Sequence, residues 1–154
     1  MLFRETLALY GFALAKIPLI AFCAPRVVRL DDEGCEVLVP LSFRTKNHWG
    51  AMYFGALCTG ADVAGGLNAL TLIRASHPRV SVLFKDFEAR FTKRADGDVV
   101  FSCADGRAVR AGVERAEATK ERVTVPVSVT ATVPRKAGAE PVAHFRLSLS
   151  LKVS

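Results

Sequence analysis

Apolar residues recur with a period of two over the last third of the chain. Val123, Val125, Val127, Val129, Ala131 and Val133 alternate with polar or small residues, and Phe145, Leu147, Leu149, Leu151 and Val153 do the same beyond a turn spanning Pro134 to Pro141. Each run predicts a strand with one buried face. Arg26 to Arg44 reads as a hairpin: Val27, Val28 and Leu30 precede a turn at Asp31-Asp32-Glu33-Gly34, and Cys35, Val37, Val39, Leu41 and Phe43 share one face beyond it. Val80, Val82 and Phe84 alternate, after which the apolar phase slips by one to Phe87, Ala89 and Phe91. A one-residue slip inside a strand predicts a bulge. Asp96-Gly97 turns the chain into a further strand, Val99 to Cys103.

Three segments have helical character. Arg107 to Glu121 places Val109, Val113 and Ala116 on one side of a highly charged helix, with Asp105 as its cap. Ala51 to Ile73 is apolar on nearly every side and is followed by His77-Pro78, a stop signal. Met1 to Cys23 holds a short apolar run, Leu7 to Ala15, with a weak basic flank and Pro25 just after it, so an apolar helix packed on the domain is favoured over a signal peptide. Contact of that helix with a membrane surface remains an alternative. The predicted order is helix, two strands, long helix, two strands, charged helix, two strands. One antiparallel sheet around one buried helix fits that order as a single α+β domain over residues 1–154, with an N-terminal helix at 1–23 and a core at 26–154. The stretch 51–73 is long enough to span a bilayer, and its small residues Ala56, Gly60 and Ala64 would suit a transmembrane helix, but the surrounding strands call for a helix to cover them.

Composition narrows the chemistry. The 154 residues carry a formal net charge of +6, which favours anionic partners. The basic residues are dispersed with no aromatic platform between them, so nucleic acid is not expected. Cys23, Cys35, Cys58 and Cys103 form no Cys-x-x-Cys pair, and His48, His77 and His144 are equally scattered, so no metal is expected. Reduced thiols in a cytoplasmic protein are the simplest reading.

The stretch from Asn47 to Asp62 carries the candidate chemistry. Asp62 is the only charged side chain from Ala51 to Ile73. A carboxylate there costs several kcal/mol unless paired, or its pKa rises. It is therefore either a structural hydrogen-bonding group or a general base or nucleophile at a pocket. Asn47 fits a helix cap equally with a substrate-orienting role. Gly55 is unfavourable inside a helix by about 1 kcal/mol, which implies close approach by the sheet or by a ligand. Tyr53 either packs or donates a hydrogen bond.

Asn47, Gly50, Gly55, Ala61 and Asp62 fall without a gap on the Asn-x-x-Gly-x-x-His-Gly-Gly, four residues, Leu-Ala-Asp pattern. In this the chain resembles the hotdog-fold acyl-CoA thioesterases of the phenylacetate-pathway type. It departs from them at Tyr53, Phe54 and Gly60, which stand in place of histidine, glycine and leucine. The resemblance implies a hotdog fold, with the sheet wrapped around a central helix at about 51–75. It also implies thioester hydrolysis, with Asp62 as general base or nucleophile, the Phe54 or Gly55 amide holding the oxyanion, and Asn47 orienting water or substrate. Gly50 and Tyr53 would then border the substrate. Coenzyme A enters only as part of an acyl-CoA or acyl-carrier substrate, with no separate cofactor. Lys85, Arg90, Lys93 and Arg94 are candidates for its phosphates, or else a solvated basic face. If the helix starts near Ala51, Asp62 lies about 16 Å along it, so Asn47 and Asp62 of one chain do not converge. A shared site in a homodimer, or in a dimer of dimers, is the consequence. A non-catalytic acyl-thioester-binding or structural protein is the alternative.

Overall fold

The computed structural model describes all of residues 1–154. An N-terminal pair of helices, α1 (Phe3–Lys16) and α2 (Pro18–Phe22), precedes the hairpin β1 (Arg26–Leu30) and β2 (Cys35–Val39). The long helix α3 (Phe54–Ser76) follows, then β3 (Val80–Phe91) and β4 (Val99–Cys103). The charged helix α4 (Gly106–Thr119), β5 (Val123–Thr132), the single turn α5 (Pro134–Ala137) and β6 (Pro141–Val153) complete the chain. The six strands form one sheet in the order β1-β2-β4-β5-β6-β3, with every neighbouring pair antiparallel.

The period-two runs behave as their pattern predicts. Val125, Val127, Val129 and Ala131 of β5 and Phe145, Leu147, Leu149 and Leu151 of β6 are buried. The β3–β6 register shifts between Phe84 and Asp86, where the apolar phase slips. This bulge returns Phe87 and Phe91 to the face that already carries Val82 and Phe84. The hairpin is shorter than expected. β2 stops at Val39 because Pro40 offers no amide to a ladder, and Phe43 lies 81% exposed beyond it.

α3 begins at Phe54, three residues later than its apolar pattern suggests, because Met52 is held in an isolated bridge to Lys46. Asp105 occupies the N-cap position of α4, but its carboxylate accepts from the Ser128 amide rather than capping the helix. The N-terminal segment is two helices rather than one. Ile17, in front of Pro18, is forced out of helical geometry.

α3 satisfies the length and composition of a membrane span, yet it lies across one sheet face with its small residues against large ones. A Cβ on Gly60 would stand 2.3 Å from the Phe101 ring, and one on Gly65 would meet Leu147 and Val127. Cys35 anchors the helix by donating its thiol to the Ala64 carbonyl at 3.0 Å. α4 lies beside α3 on the same face, where Gly112 allows equally close approach to Val125. His77, just past the end of α3, is hydrogen-bonded to Glu117 of α4 and holds that carboxyl below its ordinary range. One continuous core of 37 buried residues runs through all these contacts and includes Leu9 and Ala13 of α1 and Ile20 and Ala21 of α2.

Gly60→Ala tests whether the small-residue face sets the helix–sheet distance. The added methyl helps the helix but overlaps a fully buried ring, so net destabilisation of about 1–3 kcal/mol is expected in denaturant unfolding. Phe101→Leu in the same chain should recover part of that loss, whereas additive effects would show that the two residues do not limit each other.

Candidate functional site

The chain between β2 and α3 is built from local hydrogen bonds. Thr45, fully buried, donates its hydroxyl to the Pro40 carbonyl at 2.7 Å and accepts the Ser42 amide at 2.9 Å. Its carbonyl accepts the Tyr53 amide, and the Ala95 carbonyl accepts that of Met52. Within this frame Asn47 Oδ1 accepts the amides of Trp49 and Ala51 at 2.9 and 3.2 Å. Asn47 therefore closes a small loop and does not cap α3. Gly50, at φ +78°, supplies the left-handed residue which that loop needs. Asn47 Nδ2 donates to nothing in the chain.

This frame delivers an open helix end. Tyr53 is the N-cap of α3 but its side chain does not cap it. The Leu57 amide reaches the Tyr53 carbonyl, whereas the amides of Phe54, Gly55 and Ala56 have no acceptor in the chain. Unpaired N–H groups at a helix N-terminus, with the macrodipole behind them, suit developing negative charge. Gly55 is explained by its own neighbour: a Cβ there would stand 2.5 Å from the Tyr53 ring, so neither the sheet nor a ligand is needed to account for it. Tyr53 packs in a tilted arrangement on Phe54 (4.8 Å between centroids), and Phe54 meets Phe91 of β3 edge to face at 6.4 Å.

A cavity of about 430 Å³ opens at this end, lined by Asn47, His48, Tyr53, Phe54, Phe91 and the aliphatic stems of Lys93 and Arg94, among others. The four basic candidates do not act as one group. Lys93 pairs with Glu140 at 2.5 Å, and Arg94 pairs with Asp96 and donates to the Trp49 carbonyl, so both stand at the cavity already partnered. Arg90 belongs to a separate surface depression with Glu88, His144 and Arg146, on the sheet face away from α3. Lys85 is exposed at the bulge.

Asp62 lies two turns further on, about 12 Å from Phe54 along the axis. It faces a second cavity of about 220 Å³, which shares no lining residue with the first. The walls there are apolar: Leu9 and Phe12 of α1, Ile20 of α2, and Val82, Leu83 and Phe84 of β3. No hydrogen-bond donor or cation of the chain reaches the carboxylate, and burial alone raises its pKa from 3.8 to about 6. Of the structural reading of Asp62, a hydrogen bond to a neighbouring chain or to backbone, the bond to its own backbone is not formed. Asn47, Gly50, Tyr53 and Phe54 come together in one chain, and Asp62 stands apart from them.

The contribution of α1 and α2 to the Asp62 cavity was not legible in the sequence. Leu9 and Phe12 fall on an apolar helix with no polar face to mark which side is buried. Other nucleophiles are unfavourable, since burial raises the pKa of all four free thiols, Cys35 to about 12. No three metal-ligating side chains converge anywhere in the chain.

The whole architecture recurs in solved structures. A protein of unknown function from Chlorobaculum tepidum superimposes with a TM-score of 0.80 at 12% identity, covering 97% of this chain and 94% of its own. A Pseudomonas aeruginosa protein described as a probable thioesterase gives 0.75 at 23% identity, with coverages of 96% and 95%. A thioesterase family protein from Silicibacter pomeroyi gives 0.69 at 18%, with coverages of 94% and 96%. These likenesses establish the fold, a hotdog α+β sheet with a long central helix, matching the expected architecture. No curated protein matches the chain. Residues 7–150 match the family model described as "Domain of unknown function (DUF4442)", and the chain belongs to that family.

Proposed function

We propose that this protein is a thioesterase that hydrolyses acyl-CoA or acyl-carrier thioesters in the cytoplasm, at sites shared between two copies of the chain. The observation that carries the reading is Asp62: an unpartnered carboxylate with a pKa near 6, facing an apolar cavity from the middle of a buried helix. Such a group is ionised at neutral pH and basic enough to take a proton from water. The water oxygen then adds to the thioester carbon. The carbonyl oxygen becomes an oxyanion, for which the free amides of Phe54 and Gly55 are suitable donors. Collapse of this intermediate breaks the C–S bond and returns the proton to the departing thiolate. The free Nδ2 of Asn47 is placed to hold the substrate carbonyl or the water.

These groups lie in two separate cavities of one chain, so the reaction needs Asp62 from one protomer and the α3 N-terminus from another. β3 favours such pairing. It is a twelve-residue edge strand with Leu83 68% exposed and Phe84, Phe87 and Phe91 partly uncovered. Long apolar edges are hazards unless another chain covers them. One observation favours a binding protein without turnover instead. The Tyr53 ring lies over Gly55, beside the amides an oxyanion would need.

Free-thiol release from a panel of acyl-CoAs should be abolished or lowered on the order of 10²–10⁴-fold by Asp62→Asn, with ligand binding retained. The kcat/KM of the native protein should fall below a pH of about 6, as the base becomes protonated. Turnover by a strictly monomeric species, or turnover unchanged in the variant, would overturn the shared-site mechanism. No turnover in either protein from a well-folded dimer would favour the binding reading.

The same carboxylate carries a stability signature. Its folded pKa lies above the unfolded value, so between about pH 4 and 6 the folded chain holds more protons and stability falls as pH rises. Above pH 6 the full burden remains, at most on the order of 3 kcal/mol for a shift of about two units. Asp62→Asn should therefore raise stability most at pH 7–8, with the gain shrinking towards pH 4. A gain that did not vary with pH would show that Asp62 titrates normally.

A further inference from the structure

We infer that the groove between α1 and α3 is a channel for a linear saturated acyl chain, with the carbonyl end at Asp62 and the methyl end beside Arg74. The assignment of ends rests on the thioesterase reading; the ligand class rests on the groove itself. The cavity at Asp62 adjoins a larger one of about 560 Å³, and Leu9, Phe12, Leu67 and Leu70 line both. α3 forms the floor throughout and α1 the roof.

Asp62 is the one polar side chain lining the smaller cavity, and Glu5, Thr71 and Arg74 border the larger one, the Arg74 guanidinium reaching back towards Phe12. A mainly apolar passage matches an aliphatic chain and offers little to a polar substituent along the way. Twelve residues of α3 separate Asp62 from Arg74, a span of about 18 Å. An extended chain advances about 1.2 Å per bond, as three backbone bonds cover 3.3–3.6 Å, so the channel suits roughly 12–15 carbons. Phe12 stands at the junction of the two cavities, with the Arg74 guanidinium 5.5 Å from its ring centroid.

Gly11 supplies an independent indication. Glycine in a helix interior is unfavourable relative to alanine, and packing normally explains it. Here a Cβ would meet no atom within 4 Å, and Gly11 faces the larger cavity. No part of the chain requires the missing side chain. Gly11 is exposed, and its open side borders the groove.

The test is binding rather than turnover. Saturated fatty acids of 6 to 16 carbons, below their micellar concentrations, would displace a fluorescent fatty-acid analogue from the full-length protein. Affinity should rise with length and level off near 14 carbons. Gly11→Phe, whose Cβ would meet no protein atom, adds a ring at the distal cavity, and should weaken tetradecanoate at least about tenfold while weakening octanoate less. Ala8→Phe, on the same wall, should act alike. Non-specific adsorption would give the opposite sign, because the added ring increases exposed apolar surface. Tetradecanoate bound equally by both phenylalanine variants, or not bound by the native protein, would overturn the channel. Acyl-CoA hydrolysis with an unaltered length profile in Gly11→Phe would leave the thioesterase reading standing and remove the channel. Length-limited binding without hydrolysis would do the reverse.

Discussion

Every other feature of the molecule depends on how closely α3 can approach the sheet. The side of the helix that meets the strands is built from Ala56, Gly60, Ala61, Ala64, Gly65 and Ala69, and the strands answer with Phe101, Phe145, Leu147, Val127 and Val129. Volume is thus supplied by the sheet and withheld by the helix. Apolar burial of this kind is the main stabilising term in a domain of this size. It also makes the helix position rigid, because a methyl group added at Gly60 overlaps a ring that has no free space to enter. A rigid helix carries two chemical groups at a fixed separation, the free amides at its start and the carboxylate two turns on.

Both groups weigh against stability. The amides of Phe54 to Ala56 forgo the capping bonds that an Asp or Ser at position 53 would supply. Asp62 is desolvated without a partner. Elsewhere the chain satisfies its polar groups with care, as in the Thr45 and Asn47 loop or the pairing of Arg107 and Arg110 with Glu33 and Asp32. Local rules are thus broken at the two positions where chemistry is expected and at Asn68, whose buried Oδ1 also lacks a partner, and are kept around them.

The strands were legible because period two survives single irregularities. Even the bulge announced itself, since Phe87 could reach the core side only if one residue was left over. Asp62 was legible for a related reason, as a lone charge in an apolar run. Asn47 was only half legible. Asparagine before a helix satisfies a cap pattern, but whether its oxygen turns forward to the helix or back into a loop depends on the bridge between Lys46 and Met52, which no local pattern encodes. Gly55 was read as a sign of outside approach when its own neighbour Tyr53 fills the space. The surroundings of the basic residues were the least legible. Position along β3 says nothing about whether Lys93 meets Glu140 or Arg90 turns to the opposite sheet face, because those partners arrive from β6 and its preceding turn.

One strand borders both cavities, which bears on how they could be joined. Phe84 of β3 lines the Asp62 cavity and Phe91 lines the Asn47 cavity, so one edge strand touches both, with the bulge between them. A two-fold pairing of β3 with its own copy must be antiparallel and isologous. Centred on Glu88, with Lys85 left over at the bulge, it would set Phe84 of each protomer opposite Phe91 of the other. The same register would then bring each carboxylate cavity towards the open helix end of the second chain, twice over. Covering the apolar edge and completing the site are on this geometry one event. A chain with an uncovered edge would have neither a complete site nor a protected strand, so dimerisation would couple stability to activity through β3.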